Sequence, residues 1–157
     1  MIPTVIETHL RENHRGFEHH QHSSAMTAQD LAAADHVTGF RVAKPVVVRV
    51  GGRLALAVVS AAERVSLGML EEATGERAEL VPEAEFASRF VPCESGAEPP
   101  LSLFGLPIFA DEKFLHADKV LMQAGTHEDS VLLDTHAWIV RERVQPVANL
   151  GTRWQRH

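Results

Sequence analysis

The clearest apolar pattern along the chain is a pair of β-rich runs separated by two glycines. The runs are Val46–Val50 and Leu54–Val59, and Gly51-Gly52 lies between them. Two such runs joined by a glycine pair predict a β-hairpin with a tight turn. Both runs are apolar at most positions rather than at every second one, which is typical of strands that are covered on both faces. We therefore expect this hairpin at the centre of a sheet.

Helical spacing of apolar residues occurs on both sides of the hairpin. Behind Pro3-Thr4, the spacing predicts a first helix that ends near Gly16. Thr27 has the residue type of an N-cap, and the alanine-rich run after it favours a second helix. Three further helices are predicted over Ala61–Thr74, Pro82–Phe90 and Thr135–Val144.

The segment Pro92–Pro107 shows neither the apolar spacing of a helix nor that of a strand. Its prolines and glycines are too dense for a helix or a central strand. A loop of this length inside a compact domain is usually functional or disordered. After it, three more strands are predicted over Ile108–Ala110, Lys119–Gln123 and Ser130–Leu133.

These elements predict an α/β fold of mixed α+β type, with a central, mixed, mostly antiparallel sheet or partial barrel and helices around it. The chain has 157 residues, which suits one domain. The sequence contains no internal repeat, and the residues after Pro146 show no helical or strand periodicity of apolar residues. We expect one domain over residues 1–145 and an irregular C-terminal tail over residues 146–157.

Composition narrows the classes of function. Hydrophobic residues make up 45% of the chain, enough for one core, but no apolar stretch is long enough to span a membrane. The N-terminus lacks the order of a secretory signal, so a cytoplasmic protein with no membrane partner is expected. The formal net charge of -6 argues against binding to DNA and requires that any RNA contact come from a local basic patch.

Metal and nucleophile chemistry find little support in the motifs. The cluster His19-His20-Gln21-His22 has no neighbouring cysteine or carboxylate at familiar ligand spacing, so neither a metal nor a cofactor is expected. Cys93, the single cysteine, has no histidine-based partner motif and is interpreted as a small buried residue rather than a thiol nucleophile. Phosphate-binding glycine loops and the serine-hydrolase elbow do not occur in the sequence.

Three other features each allow a functional and a structural interpretation. Lys44, at the start of the first hairpin strand, either extends to solvent or faces a cleft. The segment Gly96–Pro100 is either an ordered surface loop or a rigid turn that aims backbone N–H groups at an oxygen. His127, in the turn Gly125-Thr126-His127, is either solvated or orients a polar ligand.

Taken in order, these motifs resemble the YbaK/prolyl-tRNA-synthetase editing domain family. The resemblance is carried by Thr27–Asp30, Val42–Lys44, Gly96–Pro100 and Ala124–His127, and extends from about Ile2 to Val144. It implies a free-standing, trans-acting aminoacyl-tRNA deacylase. Members of this family hydrolyse the ester without a protein nucleophile or a metal, because they position water or a ribose hydroxyl.

The resemblance also implies roles for individual residues. Lys44 handles the 3′ end of the tRNA, the Gly96 loop holds the aminoacyl carbonyl, and His127 contacts the amino acid, so Lys44 and His127 are the expected catalytic residues. The expected substrate-binding residues are Gly96, Ala97, Pro100, Gly125, Thr126, His20 and Met26. Two departures from the family pattern are Pro45, which follows the lysine, and Leu101-Ser102-Leu103, where relatives carry an aromatic residue and a further glycine.

The expected reaction is therefore hydrolysis of the ester that joins a small amino acid, of the alanine, serine or cysteine type, to a mischarged tRNA. A catalytically inactive tRNA- or aminoacyl-binding module is the alternative, and an esterase of small aminoacyl or peptidyl esters is a second one. The expected partner is the tRNA acceptor end, with a synthetase or an elongation factor aiding the acidic protein. The candidate basic contacts are Arg41, Lys44, Arg49, Arg53, Arg153 and Arg156.

Overall fold

The predicted hairpin forms the centre of the fold. In the computed structural model, which describes residues 1–22 and 40–153, strands β2 (Phe40–Val50) and β3 (Arg53–Ser60) pair antiparallel. The turn between them places Gly51 at φ 57° and Gly52 at φ 82°. Two consecutive positive φ angles are characteristic of a tight hairpin turn and are readily adopted by glycine.

Strands on both sides extend the hairpin into a mixed sheet. Its order is β1-β8-β7-β2-β3-β6-β9, where the added strands are β1 (Glu18–Gln21), β6 (Ile108–Asp111), β7 (Lys119–Gln123), β8 (Asp129–Asp134) and β9 (Gln145–Val147). A short strand β5 (Ala78–Leu80) pairs with the far end of β2. Strands β4 (Glu63–Val65) and β10 (Gly151–Arg153) form a separate two-stranded ribbon. Antiparallel pairs outnumber parallel ones, so the predicted fold class is confirmed.

Helices lie around this sheet. The α-helices are α1 (Thr4–Asn13), α2 (Leu67–Thr74), α3 (Glu83–Phe86) and α4 (Thr135–Arg141), and 3-10 turns cover Ala87–Phe90, Ser102–Phe104 and Glu112–His116. Among the residues that the structure describes, no helix combines the length and apolarity that a membrane crossing requires. The second helix, predicted to begin at Thr27, falls outside the described residues.

Two cores cover the two faces of the hairpin. Leu56 and Val58 pack into one core together with Trp138, while Ala57 and Val59 pack into the other with Leu70. Both faces of β3 are therefore buried, which confirms the central position expected from its uninterrupted apolar run.

Two predictions about element limits were wrong. The helix predicted over Ala61–Thr74 begins only at Leu67, because the Ser66 side chain caps it by accepting a hydrogen bond from the Met69 amide (3.3 Å). The residues after Pro146, expected to be irregular, include part of β9 and all of β10, because partners distant in sequence pair with them. The domain boundary at residue 145 stays a prediction.

The sheet leaves part of one central strand open. Residues 40–42 of β2 pair with β7 and residues 48–50 pair with β5, whereas residues 43–47 pair only with β3 among the strands of the described residues. Pro45 lies in this open stretch. Proline lacks a backbone N–H and is tolerated in strands at such unpaired edges. The same edge positions the site described next.

Candidate functional site

A cavity of about 540 Å³ lies against the open edge of β2. Its walls include Lys44 of β2, Gly96 and Glu98 of the proline-rich loop, Gln123 at the end of β7, and Phe86 of α3. The structure thus brings together Lys44 and Gly96, which are 52 residues apart in the sequence. The volume lies within the range of small-molecule pockets.

Lys44 is a half-buried cation at one side of this cavity. Its ammonium donates hydrogen bonds to the carbonyl oxygens of Glu63 and of Ala61, the latter at 3.5 Å. Burial lowers the pKa of Lys44, and the charge of Glu63 partly opposes this effect. The amine is therefore held by carbonyl groups of the turn after β3 and of the first residue of β4.

The proline-rich loop and the Gly125 turn form one hydrogen-bonded unit. The Glu94 amide donates to the Gly125 carbonyl (2.8 Å), and the Gly125 amide donates to the Ala97 carbonyl (2.9 Å). Side chains complete the connection: the Glu94 carboxylate accepts from the His127 amide (2.9 Å), and His127 Nε2 lies 2.7 Å from the Ser95 carbonyl oxygen. His127 therefore supports the loop.

The backbone conformation of Gly96 favours glycine, because its φ of 83° lies in the left-handed region. A Cβ at this position would lie 3.5 Å from His127 Cε1, at ordinary contact distance. The Gly96 amide donates to the Glu98 carboxylate (3.2 Å), while the Ala97 amide donates to the Glu94 carbonyl (3.0 Å). Pro99 and Pro100 have no N–H to offer. Within the described residues, the Glu98 amide is the one in this loop segment without a hydrogen-bond partner.

The Gly125 turn is positioned by buried contacts. A Cβ on Gly125, whose φ is 93°, would lie 2.7 Å from Ile6 Cδ1, so the turn packs directly on helix α1. The Thr126 hydroxyl donates to the buried carboxylate of Asp129 (2.6 Å). Burial would raise the pKa of Asp129, but the hydrogen bonds from Thr126 and His19 lower it, so the carboxylate stays charged.

The other predicted pocket residues are not brought into this arrangement. His20 lies on β1 with an exposed side chain 3.3 Å from Glu18 Oε2, and it does not line the cavity. Met26 falls outside the described residues. Pro100 accepts a hydrogen bond from Trp138 Nε1 (2.9 Å) through its carbonyl and is buried, so it anchors the loop to the core.

One group of side chains in the described part of the chain has metal-ligand geometry, and it lies outside the histidine cluster of residues 19–22, where no metal was expected. The ligand atoms of His9, His14 and Glu142 all lie within 4.8 Å of one another. Both imidazoles already bond to the carboxylate, at 2.9 Å for His9 and 2.6 Å for His14. The amide of Ser102 also donates to it (2.7 Å). A hydrogen-bonded network accounts for these contacts.

Cys93, next to the loop, does not have the properties of a nucleophile. Burial, reinforced by the charge of Glu98, raises the pKa of the Cys93 thiol to about 11. The reactive thiolate is therefore scarce near neutral pH.

Sequence reasoning missed Glu94, Glu98 and Gln123. Glu98 lies inside the Gly96–Pro100 motif and could have been found there, since it is the ionisable residue of that segment. Glu94 and Gln123 carry no local signal, because their roles depend on the loop and the end of β7 meeting in space.

The candidate basic contacts are dispersed. Arg49 is paired with Glu79 (3.3 Å) and Glu85 (3.0 Å), and Arg41 Nη1 lies 3.5 Å from the Ser60 hydroxyl. Arg153 lies on β10, and Arg156 falls outside the described residues.

Comparison with known sequences and structures adds independent information. A family model described as "aminoacyl-tRNA editing domain" matches residues 22–139. No curated protein matches the chain.

Several solved structures share the fold. One, from work on computational grafting of epitopes onto scaffold proteins, superposes with a TM-score of 0.77 at 20% identity, covering 95% of this chain and 96% of the other. A proposed trans-editing enzyme for prolyl tRNA synthetase superposes with a TM-score of 0.76 at 18% identity, covering 95% and 99%. The hypothetical protein APE2540 gives a TM-score of 0.76 at 16% identity, covering 90% and 97%. At these identities the likeness establishes the fold.

Proposed function

The chain belongs to the aminoacyl-tRNA editing domain family, and from this premise we propose that it is a trans-acting aminoacyl-tRNA deacylase. Its substrate is a tRNA mischarged with a small amino acid of the alanine, serine or cysteine type. The observation that carries this proposal is the shared cavity at the open edge of β2, which both Lys44 and the Gly96 loop line.

The charges of the cavity match the parts of such a substrate. An aminoacyl ester carries an α-ammonium group next to its carbonyl, and a ribose with its phosphate on the other side. The Glu98 carboxylate lies 3.2 Å from the Gly96 amide, so a carboxylate and an amide donor are adjacent, as the ammonium and the carbonyl require. Lys44 supplies the cation for the ribose-phosphate side.

The proposed mechanism depends on position and electrostatics. Water, positioned by a ribose hydroxyl of the substrate, attacks the carbonyl carbon and gives up a proton, and the developing oxyanion is stabilised by the amides of Gly96 and Glu98. Collapse of the tetrahedral species breaks the C–O bond to the ribose, whose oxygen takes up a proton. The Gly96 amide becomes available when the substrate ammonium draws the Glu98 carboxylate away from it. His127 keeps the loop in place during these steps.

Two observations favour the alternative of a binding module that does not hydrolyse its ligand. The Gly96 amide is occupied by Glu98, and Pro45 removes a donor from the open strand edge. If Glu98 stays in place when the substrate binds, the oxyanion loses one of its two amide donors, and hydrolysis slows while binding persists.

The deciding experiment is a panel of tRNAs mischarged with radiolabelled alanine, serine or cysteine, scored for release of free amino acid above the spontaneous rate. The proposal expects release from at least one, and inhibition of that release by uncharged tRNA. Binding of tRNA without release supports the binding module. Release that uncharged tRNA leaves unchanged supports an esterase of small aminoacyl esters. The Lys44→Ala variant is the control for contaminating hydrolases.

We also propose the cytoplasm as the site of action, because translation supplies aminoacyl-tRNA there. A formal charge of -6 weakens the attraction of the whole protein for RNA. An aminoacyl-tRNA synthetase or an elongation factor is therefore the proposed partner that delivers the tRNA.

A further inference from the structure

A second groove continues from the cavity. It has a volume of about 710 Å³ and shares Lys44, Val46 and Leu80 with the cavity, so the two spaces adjoin along β2. Its far side is the β4–β10 ribbon, which contributes Arg64 and Arg153. We propose that this groove, called the ribbon groove below, binds the phosphates of the single-stranded 3′ end of the tRNA. The inference rests on the deacylase function proposed above.

The ribbon is held in place on two sides, which gives the groove a fixed wall. On the outer side, Gly151 donates its amide to the Asp111 carboxylate (2.7 Å), and Lys113 Nζ lies 2.5 Å from Glu63 Oε2. On the cavity side, the Lys44 ammonium bonds to the Glu63 carbonyl. A Cβ on Gly151 would lie 2.7 Å from Glu63 Oε1, so a larger residue there would have to displace the buried Glu63 carboxylate.

The charge of the groove suits a polyanion. Among the described residues, its lining contains the cations Lys44, Arg64 and Arg153 and no carboxylate, although the whole chain has more acidic than basic residues. The nearest acidic side chain on the ribbon, Glu63, is buried and paired with Lys113. A cluster of cations without interspersed acids is the local basic patch that an acidic protein needs to bind RNA.

The position of the groove follows from the substrate. The ester is at the last nucleotide, so the phosphates of the preceding nucleotides must leave the cavity through an adjoining space. The ribbon groove adjoins the cavity at Lys44, whose cation lies at the junction. Between the cations, Val46 and the 60% exposed Leu80 offer apolar surface to unpaired bases.

The test compares two substrates that carry the same amino acid, chosen as the one that the wild type releases fastest. One is the full aminoacyl-tRNA, and the other is the aminoacyl ester of adenosine, which has no phosphate. Arg64→Gln and Arg153→Gln should each lower kcat/KM on the tRNA by about fivefold and leave the adenosine ester unchanged. Each should also reduce the slope of log kcat/KM against log salt concentration by about 0.7.

Arg77→Gln is the matched control, because the substitution removes the same charge as the other two variants. Arg77 is exposed and lies beside the hairpin turn at the far end of β2. It should behave as wild type on both substrates. Equal losses on tRNA and adenosine ester, or no loss on either, would overturn the ribbon groove while leaving the deacylase function intact.

A binding measurement keeps the proposal testable if the wild type hydrolyses neither substrate. The probe is a fluorescein-labelled, uncharged acceptor-stem minihelix with a single-stranded ACCA end, followed by anisotropy. Weaker binding by the Arg64→Gln and Arg153→Gln variants but not by Arg77→Gln supports the groove. Identical affinities of all four proteins contradict it.

Discussion

The imidazole of His127 and the backbone of Ser95 are joined by a hydrogen bond of 2.7 Å from Nε2 to the carbonyl oxygen. A carbonyl oxygen only accepts, so Nε2 carries the proton and donates it. The bond connects a turn after β7 to the loop that lines the cavity, across 32 positions of sequence. The histidine thus positions the loop that lines the cavity.

This relationship predicts the effect of removing the imidazole. His127→Ala should lower kcat/KM for deacylation about tenfold, because a single hydrogen bond and the packing on Gly96 are lost. Amide hydrogen exchange at Ala97 should become faster. His127→Gln, whose side-chain amide can donate to Ser95, should retain more activity than the alanine variant.

His136→Ala is the control for that experiment, since His136 is exposed on α4. If His127→Ala lowers activity without faster exchange in the loop, His127 contacts the substrate directly, and its supporting role is wrong.

The cation of Lys44 gives a second prediction. Lys44→Ala should lower deacylation about 10²-fold or more if the ammonium stabilises charge in the transition state. Lys44→Met preserves most of the side-chain volume and removes the charge, so it should lose as much. A methionine variant with near wild-type activity would show that Lys44 contributes packing alone.

The pH dependence follows from the same side chain. Burial lowers the pKa of Lys44 from its ordinary value of 10.5. The charged form is therefore lost as pH rises through a value below 10.5, and enzymatic release, corrected for spontaneous hydrolysis, should decline there. The residual activity of Lys44→Met should not show this decline at high pH, because the variant has no ammonium group to titrate.

Cys93 is expected to be dispensable. With a thiol pKa of about 11, Cys93 is protonated at neutral pH, and Cys93→Ser should keep at least half of the wild-type deacylation rate. Iodoacetamide at pH 7 should label the thiol more slowly than it labels free cysteine. A loss of activity of 10²-fold in the serine variant, with a normal melting temperature, would instead assign a catalytic thiol.

Local sequence was sufficient for those parts of the fold that depend on short-range physics. The Gly51-Gly52 turn and the apolar runs beside it encode the hairpin, and α2 ends at Thr74, the predicted last residue, because Gly75 adopts the left-handed conformation. The β4–β10 ribbon could not be predicted in this way. Its strands have three residues each, and they pair Glu63 with Arg153 across most of the chain. Such pairing leaves no periodic signal in either segment.

In the candidate site, too, the features encoded by short segments were predictable, whereas those that depend on contacts between distant segments were not. The Gly96–Pro100 and Gly125–His127 motifs are contiguous and were recognised, although their proposed roles remain to be tested. The direction of the Lys44 amine was not predictable, because it is set by carbonyl groups at the end of another strand. The role of Glu94 also depends on a contact with His127 that only the folded chain creates.

The last prediction concerns Glu142, whose side chain is fully buried and accepts hydrogen bonds from His9, His14 and Ser102. Glu142→Gln removes the charge and places an amide N–H₂ among donors, so it should lower the free energy of unfolding by about 2–4 kcal/mol. Urea denaturation measures the loss, and Glu12→Gln, at an exposed position of α1, is the matched control.

The stabilisation that Glu142 provides depends on pH. Burial would raise the pKa of Glu142, but the hydrogen bonds from His14, His9 and Ser102 hold it below its ordinary value of 4.5. The stabilisation is therefore complete above pH 4.5 and is lost as pH falls toward the lower, folded-state value. The difference in unfolding free energy between wild type and Glu142→Gln should narrow as pH falls below 4.5, and a difference that stays constant would show that the carboxylate charge is not what stabilises the network.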